Sequence, residues 1–447
     1  MSKADITNIV SKALNKIKPV EVEKEKLKVV SDRVIQFVNN TIGALGIDAS
    51  AALVGSTARD TWLSGDKDID IFILLPETMT EEMLEDVGLR IGREVAKKHA
   101  KRCEEKYAEH PYVHAWFDGY EVDIVPCFKV PSAEKIKSPV DRTPFHTDYM
   151  RKKIAGLEDE VLLLKQFMLA SGAYGAELKV QGFSGYLCEL LILHYRSFMN
   201  FLKSASEWKF GERIDIEGHG KYKGKDPLVV IDPVDANRNA AAALSLDNFC
   251  RVADASRAFL ASPKMVSFFP KKGKPIKKAE LRQLIESRGT ELLAVIFDVP
   301  AGIVDDIVFP QLRKAQKSVT ELLHRNDFRV YRSDVFRKNG SGILLLEMEV
   351  AHLPEIKKHF GPPITSKEHT EKFRKKYGRR IKYIEDGRFV AEVQRKHVHA
   401  KYLLSNEIKS CGLGKNLSEY RYRILTEDKI PTDKELGIFL REYFGSY

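Results

Sequence analysis

Gly55-Ser-Thr-Ala-Arg-Asp-Thr-Trp-Leu-Ser-Gly-Asp-Lys-Asp-Ile-Asp70, with the apolar run Ile71-Phe-Ile-Leu-Leu75 behind it, decides how this chain is read. Ala51–Val54 ahead of it is a short apolar strand, and Ile69–Leu75 is a longer one. Residues two apart on a strand share a face. Asp68 and Asp70 therefore project together while Ile69 points into the core. A second apolar strand, Tyr120–Val125, carries Asp123 and returns from Val113–Phe117 through an Asp118-Gly119 hairpin turn. If the two strands are neighbours, three carboxylates converge on one surface.

Such a cluster repels itself and calls for a counter-charge. Hard divalent cations supply it: Mg²⁺ takes oxygen ligands and shares carboxylates with substrate phosphates. Two such ions can clamp the attacking and leaving oxygens of an in-line phosphoryl displacement. Gly55 permits close backbone approach, and a helix is expected over Asp60–Leu63. Backbone N–H groups at its start and the Ser56 hydroxyl are suited to phosphate oxygens, with Arg59 adding a charged donor. An anion cradle beside a metal site implies a nucleoside triphosphate substrate.

Working outward, 447 residues exceed one ordinary core. Residues 5–46 read as helix and Glu81–Lys101 as an amphipathic helix. From Glu158 the pattern turns helical, with helices expected at Glu158–Ser171, Phe183–Lys203, Ala236–Leu246 and Asp247–Ala261, and a strand and loop at Asp226–Pro233. Beyond the basic stretch Pro263–Lys278 it becomes mixed: strands at Glu291–Val299, Phe328–Phe336, Gly342–Val350, Lys382–Ile384 and Arg388–Gln394, helices at Val308–Arg325 and Lys367–Tyr377. The expected fold class is a multidomain α+β protein with three parts: 1–155 around the aspartates, a mainly helical central domain over 156–265, and a mixed α/β part over 266–447.

The net charge of +10 is uneven. Residues 266–447 hold 36 Lys/Arg against 24 Asp/Glu, whereas residues 1–265 hold 37 against 39. A basic C-terminal portion on a near-neutral remainder points to a polyanionic partner. Lys271-Lys272-Gly-Lys274-Pro-Ile-Lys277-Lys278 and Phe373-Arg-Lys-Lys-Tyr-Gly-Arg-Arg-Ile-Lys-Tyr383 are its densest basic segments. Their cations suit phosphates; Phe373 and Tyr377, spaced i and i+4, instead read as facing a core. The five cysteines are scattered, odd in number and never in a Cys-x-x-Cys pair, which fits the cytoplasm. No apolar run approaches a membrane span, so no membrane partner is expected. His397-Val-His399 alternates like a ligand pair but lacks a third ligand, and reads as solvated or RNA-facing strand.

Gly-Ser followed by Asp-x-Asp resembles the DNA polymerase β-like nucleotidyltransferase superfamily. Within it, Gly55–Asp70 is similar to the signature of the archaeal, class I CCA-adding enzymes. Further segments carry the likeness: Val122-Asp-Ile-Val-Pro-Cys127, Arg142-Thr-Pro-Phe-His146, Lys165-Gln-Phe, Gly182-Phe-Ser-Gly-Tyr186 and Asp232-Pro-Val-Asp-Ala-Asn-Arg-Asn239. The resemblance implies a polymerase β-like catalytic domain of mixed sheet and helices, and addition of the 3′-terminal CCA to tRNA from CTP and ATP with two Mg²⁺ ions. It makes Asp68, Asp70 and Asp123 catalytic metal ligands. Ser56 and Arg59 would hold the triphosphate. His146, Lys165 and Tyr174, with Thr143 nearby, would contact phosphates and sugar, and Arg238 would read the base edge. The first carboxylate of this family is often Glu, and here it is Asp68; the shorter arm still supplies an oxygen. The tRNA acceptor end is then the polyanion of the basic portion, and a homodimer is compatible with the resemblance. The competing readings are a poly(A) polymerase or other RNA-terminal nucleotidyltransferase of the superfamily, and a non-catalytic RNA-binding protein with a degenerate catalytic domain.

Overall fold

Alternation of isoleucines organises the first sheet. The structure, a computed structural model, describes residues 3–107, 110–271, 273–338 and 340–445. It divides into two units, Met1–Lys271 and Lys272–Tyr447. Lys272, within the basic connecting stretch, lies outside the described residues.

The first unit opens with helices α1 (Lys3–Ile17) and α2 (Glu21–Ala44). The single helix expected over 5–46 is thus two, broken at Lys18-Pro19-Val20. Proline disfavours helical backbone in the residue before it and brings no N–H of its own. There follow β1 (Ser50–Val54), β2 (Asp68–Pro76), α3 (Glu81–His99), β3 (Arg102–Tyr107), β4 (Pro111–Phe117) and β5 (Tyr120–Lys129). They form a mixed sheet in the order β1-β2-β5-β4-β3, with β2 and β5 parallel. Ile69, Ile71, Ile73 and Leu75 alternate onto one face, packed with Val34 and Val38 of α2 and Ile91 and Val95 of α3. Phe72 faces the other way, against Val54 and Cys127. Cover on both faces is why the strand reads as a continuous apolar run.

The chain continues through α4 (Arg142–Lys153), α5 (Glu158–Ala170), α6 (Gly185–Tyr195), α7 (Phe198–Ala205), β6 (Glu212–Asp215), β7 (Leu228–Asp232), β8 (Asp235–Asn239) and α8 (Leu246–Ala261). One core joins α1 with α5 to α8. Two expectations fail here. The helix expected over Phe183–Lys203 is two, because Arg196 adopts φ 68 and Ser197 caps the next helix by accepting from Asn200 N–H at 3.1 Å. The helix expected over Ala236–Leu246 is instead a strand in the small sheet β6-β7-β8 and a run of turns.

In the second unit come α9 (Lys278–Arg288), β9 (Glu291–Asp298), α10 (Asp305–Arg325), β10 (Arg329–Lys338), β11 (Ser341–Val350), β12 (Ile356–Pro363), α11 (Lys367–Tyr377), β13 (Ile381–Glu385), β14 (Arg388–Gln394), α12 (Ala400–Glu407), β15 (Tyr422–Thr426) and α13 (Lys434–Phe444). The sheet β10-β11-β9-β15 is covered on both faces. Leu293, Val295 and Phe297 of β9 meet α10 and α12, while Leu292, Ala294 and Ile296 meet α9 and α13. A second sheet, β12-β14-β13, packs on Phe373 of α11. Tyr377 lies 4.6 Å from the Phe373 ring, so these aromatics do face a core, while Arg374, Lys375, Lys376, Arg379, Arg380 and Lys382 are exposed. His397 is neither on a strand nor solvated: its side chain is buried and pairs with Glu407 at 3.1 Å.

Candidate nucleotidyl-transfer site

Parallel register places Asp70 opposite Asp123 and Asp68 opposite Glu121. The three aspartates therefore share one end of the β2–β5 pair. Burial, and then the charges of Asp123 and Asp68, push the Asp70 carboxyl up to about 7. Burial, followed by the charges of Asp66, Glu121 and Asp123, raises Asp68. Such a shortage of positive charge suits a divalent cation, and a set of carboxylate oxygens suits a hard one. Asp123 also contacts His114, its neighbour across β4, whose other ring nitrogen lies 3.3 Å from Glu121. Elsewhere, Glu81, Glu85 and His110 hold potential ligand atoms within 4.8 Å of one another. His110 Nδ1 stands 3.4 Å from Glu85 and 3.7 Å from Glu81, the geometry of an ordinary histidine–carboxylate contact.

Gly55 closes the site from β1. Its φ is +75, and a Cβ there would fall on the Asp70 carboxylate. The helix expected over Asp60–Leu63 is absent. One 3-10 turn, Thr57–Arg59, follows Ser56, and Asp60 then leaves it at φ 56. A single turn has little dipole, so anion attraction cannot come from a helix terminus here. Buried cations are present instead. Arg59 and Lys165 are 8% and 2% exposed, and both face Glu189 of α6. Lys165 therefore does not run out to solvent along its helix. Tyr174 and Lys165 both border Gly185, where a Cβ would come 3.1 Å from the tyrosine hydroxyl and 3.4 Å from the ammonium. The glycine lets α6 approach them.

A second buried carboxylate, Asp232, ends β7. It accepts from His146 Nε2 at 2.9 Å, Tyr186 Oη at 3.0 Å, Arg238 Nη1 at 2.7 Å and Val234 N–H at 3.1 Å. Burial alone would raise it, but the His146 hydrogen bond and the charges of His146 and Arg238 outweigh burial and hold it at about 2. Burial lowers the imidazole of His146, which stacks on Tyr186 at 4.0 Å between ring centroids. Helix α4 links the two clusters, since Thr147, next to His146, accepts from Arg59 Nη1 at 3.1 Å. Thr143 lies in the first turn of α4. Arg238 sits on β8 and borders a cleft of about 560 Å³, with Arg142, Ser184 and Asp235 on its walls. That volume suits a nucleoside. Asn239 also lines the cleft, but its amide is taken up by the hairpin: it accepts from Val230 N–H at 2.9 Å and donates to Leu228 O at 3.0 Å.

Sequence reasoning gave Glu189, Asp232, His114, Thr61 and Tyr186 no role. The first two had a signal. Glu189 is a lone acid within the apolar run Leu187–Leu193, and Asp232 ends the apolar run that starts at Leu228; both are buried, where an unpaired charge is too costly to persist.

Carboxylates at one end of a parallel strand pair, close backbone at a Gly-Ser turn and buried cations nearby define a nucleotidyltransferase. Residues 12–146 match the family described as "Nucleotidyltransferase domain". Residues 159–269 match "tRNA nucleotidyltransferase, second domain", and residues 288–427 match "CCA-adding enzyme, C-terminal domain". The chain is 47% identical over 411 residues to the CCA-adding enzyme of Methanosarcina barkeri, covering 91% of this chain and 90% of that one. It is 45% identical to that of Methanosarcina acetivorans, covering 96% of each. To that of Methanocaldococcus jannaschii it is 40% identical, over 88% of this chain and 89% of that one. The chain belongs to the CCA-adding enzyme family.

Proposed function

We infer that this chain builds the 3′-terminal CCA of tRNA, transferring CMP and AMP from CTP and ATP to the RNA 3′ end. The observation that carries the reading is the register of β2 on β5, Asp70 opposite Asp123, in a chain akin to CCA-adding enzymes along nearly its whole length. The RNA 3′-hydroxyl oxygen forms the new ester bond at the α-phosphorus. The α–β bridging bond breaks, diphosphate leaves and the hydroxyl proton is released. Divalent cations, which we assign as two Mg²⁺, supply Lewis acidity and charge neutralisation when bound. Asp68, Asp70 and Asp123 are the residues to hold them.

Arg59 and Lys165 draw the triphosphate toward the aspartates, and the Ser56 hydroxyl donates to it. Thr143, His146 and Tyr174 border phosphate and sugar. Asp232 aims Arg238 at the cleft, where its guanidinium meets the edge of the incoming base. The basic second unit takes the tRNA acceptor end through its backbone phosphates. No helix among the described residues is long and apolar enough to cross a membrane, and the reading places the chain with tRNA in the cytoplasm.

The test is incubation with tRNA lacking its CCA and with CTP, ATP, UTP and GTP singly and together, followed by sequencing of the product ends. Ordered addition of C, C and A is expected; homopolymeric A or no extension overturns the reading. Asp70→Ala is expected to abolish incorporation while tRNA still binds, and full activity of that variant sinks the metal assignment.

A further inference from the structure

Helix α6 carries one carboxylate, Glu189, in an otherwise apolar stretch, and that side chain is fully buried. A charge so placed must be compensated. Its Oε1 accepts from Thr61 Oγ1 at 2.5 Å and lies 3.8 Å from Lys165 Nζ, while Oε2 lies 2.9 Å from Arg59 Nε. Lys165 also donates to the Thr61 carbonyl at 2.6 Å. The next carboxylate, Asp66, is engaged with the Leu63 N–H at 3.1 Å. Among the described residues the two buried cations therefore share one direct counter-ion, a surplus of one positive charge when Lys165 is protonated. That surplus suits an anion delivered by a ligand.

We propose that Glu189 is a positioning residue for nucleotide binding: it clamps Arg59 and Lys165, through Thr61, into one preformed cation pair that receives the triphosphate. This rests on the reading of the chain as a transferase using CTP and ATP. Without Glu189 the two cations repel each other through a low-dielectric interior, and among the described residues Lys165 keeps only neutral Thr61 oxygens in contact. Burial already pulls its ammonium below the ordinary range, and Glu189 is the largest influence opposing that. The bond from Thr61 fixes one carboxylate oxygen, so the other faces Arg59. Glu189 itself reaches no phosphate: it acts through Arg59 and Lys165.

The experiment measures kcat and KM for CTP and for ATP, KM for tRNA, and melting temperature in the full-length parent, Glu189→Gln, Glu189→Asp and Thr61→Val. Glu189→Gln should raise KM for both nucleotides about tenfold or more, the scale of one charge-assisted contact. KM for tRNA should stay within about twofold, since the clamp acts on the nucleotide's phosphates alone. Glu189→Asp should recover most of the loss. A lowered melting temperature with unchanged nucleotide KM per active molecule would mean a structural role only and overturns the proposal. If Glu189→Gln does not fold, Thr61→Val decides: every charge remains, and a nucleotide KM equal to the parent's overturns the clamp. Failure of the parent to extend tRNA would instead sink the functional reading, so the two failures are distinguishable.

Discussion

Replacing Gly55 with alanine separates backbone strain from damage to the site. An alanine at φ +75 occupies the left-handed region, at a cost of about 1–2 kcal/mol. Its methyl would also fall on the Asp70 carboxylate, forcing that side chain off its rotamer for about another 1 kcal/mol. The sum, about 2–3 kcal/mol, corresponds to a melting temperature lower by roughly 4–6 °C in a unit of this size. The larger effect is on rate. Asp70 must shift by about an ångström, and misplacement of that order costs about a hundredfold in a positioned reaction. Gly46→Ala is the control: its φ is +66, but nothing lies within 4 Å of a Cβ there. It should lose about 1–2 kcal/mol of stability and keep its incorporation rate. The assay is single-turnover addition of CMP to tRNA lacking CCA, run well below either melting temperature. Equal rates in the two variants would refute the claim that Gly55 exists to make room for Asp70.

Asp232 is held at about 2, below its ordinary value of 3.8. Its contribution is therefore whole above about pH 4 and is lost as pH falls toward 2, a loss of about 2 kcal/mol. Between those pH values the unfolding free energy of the parent should fall by that much more than that of Asp232→Asn; parallel slopes would refute the assignment. Arg238→Ala should raise KM for CTP and ATP and let UTP compete; unchanged selection in end-sequencing would remove Arg238 from base reading. Burial pushes the Cys188 thiol up to about 12 and Cys127 higher still, whereas Cys103 and Cys250 are exposed. Iodoacetamide at pH 8 should label the exposed pair quickly, and equally fast labelling of Cys188 would contradict the packing of α6. Changing Lys375, Arg379 and Arg380 to glutamine should weaken tRNA binding and flatten its logarithmic salt dependence by about 1–2; an unchanged slope would clear these residues of phosphate contact.

The strand carrying Asp68 and Asp70 was legible from its apolar run, and two-residue periodicity put both on one face. Convergence with Asp123 was conditional on the strands being neighbours, which the parallel pairing of β2 and β5 meets. Residues whose partners lie far along the chain were not legible. Arg238 looked helical because Ala236 and Ala240–Ala243 favour helix, yet the amide of Asn239 bonds β7 and wins the segment for a hairpin. β3 was missed since Arg102-Cys-Glu-Glu-Lys-Tyr107 is an exposed edge strand without apolar alternation, anchored by Arg102 lying 3.8 Å over the Trp116 ring. Asp60–Leu63 read as helix, but Thr61 and Arg59 are drawn inward by Glu189, whose position 128 residues from Thr61 no local pattern reveals. Burial of Lys165 was hidden for the same reason: its counter-ion lies on another helix.

Parallel pairing of β2 with β5 has a consequence for how the site comes into being. Two parallel neighbours cannot be joined by a tight turn. The chain must first lay down α3, β3 and β4 before β5 returns to set Asp123 beside Asp70. No smaller piece of the sheet holds all three aspartates in place, and a nascent chain or a frayed strand offers nothing for a cation to grip. A ligand held there binds the native sheet and not the part-folded one, and so stabilises the native state. Under the proposed function, the supply of triphosphate and divalent ions acts on the shelf life of the enzyme as well as on its turnover.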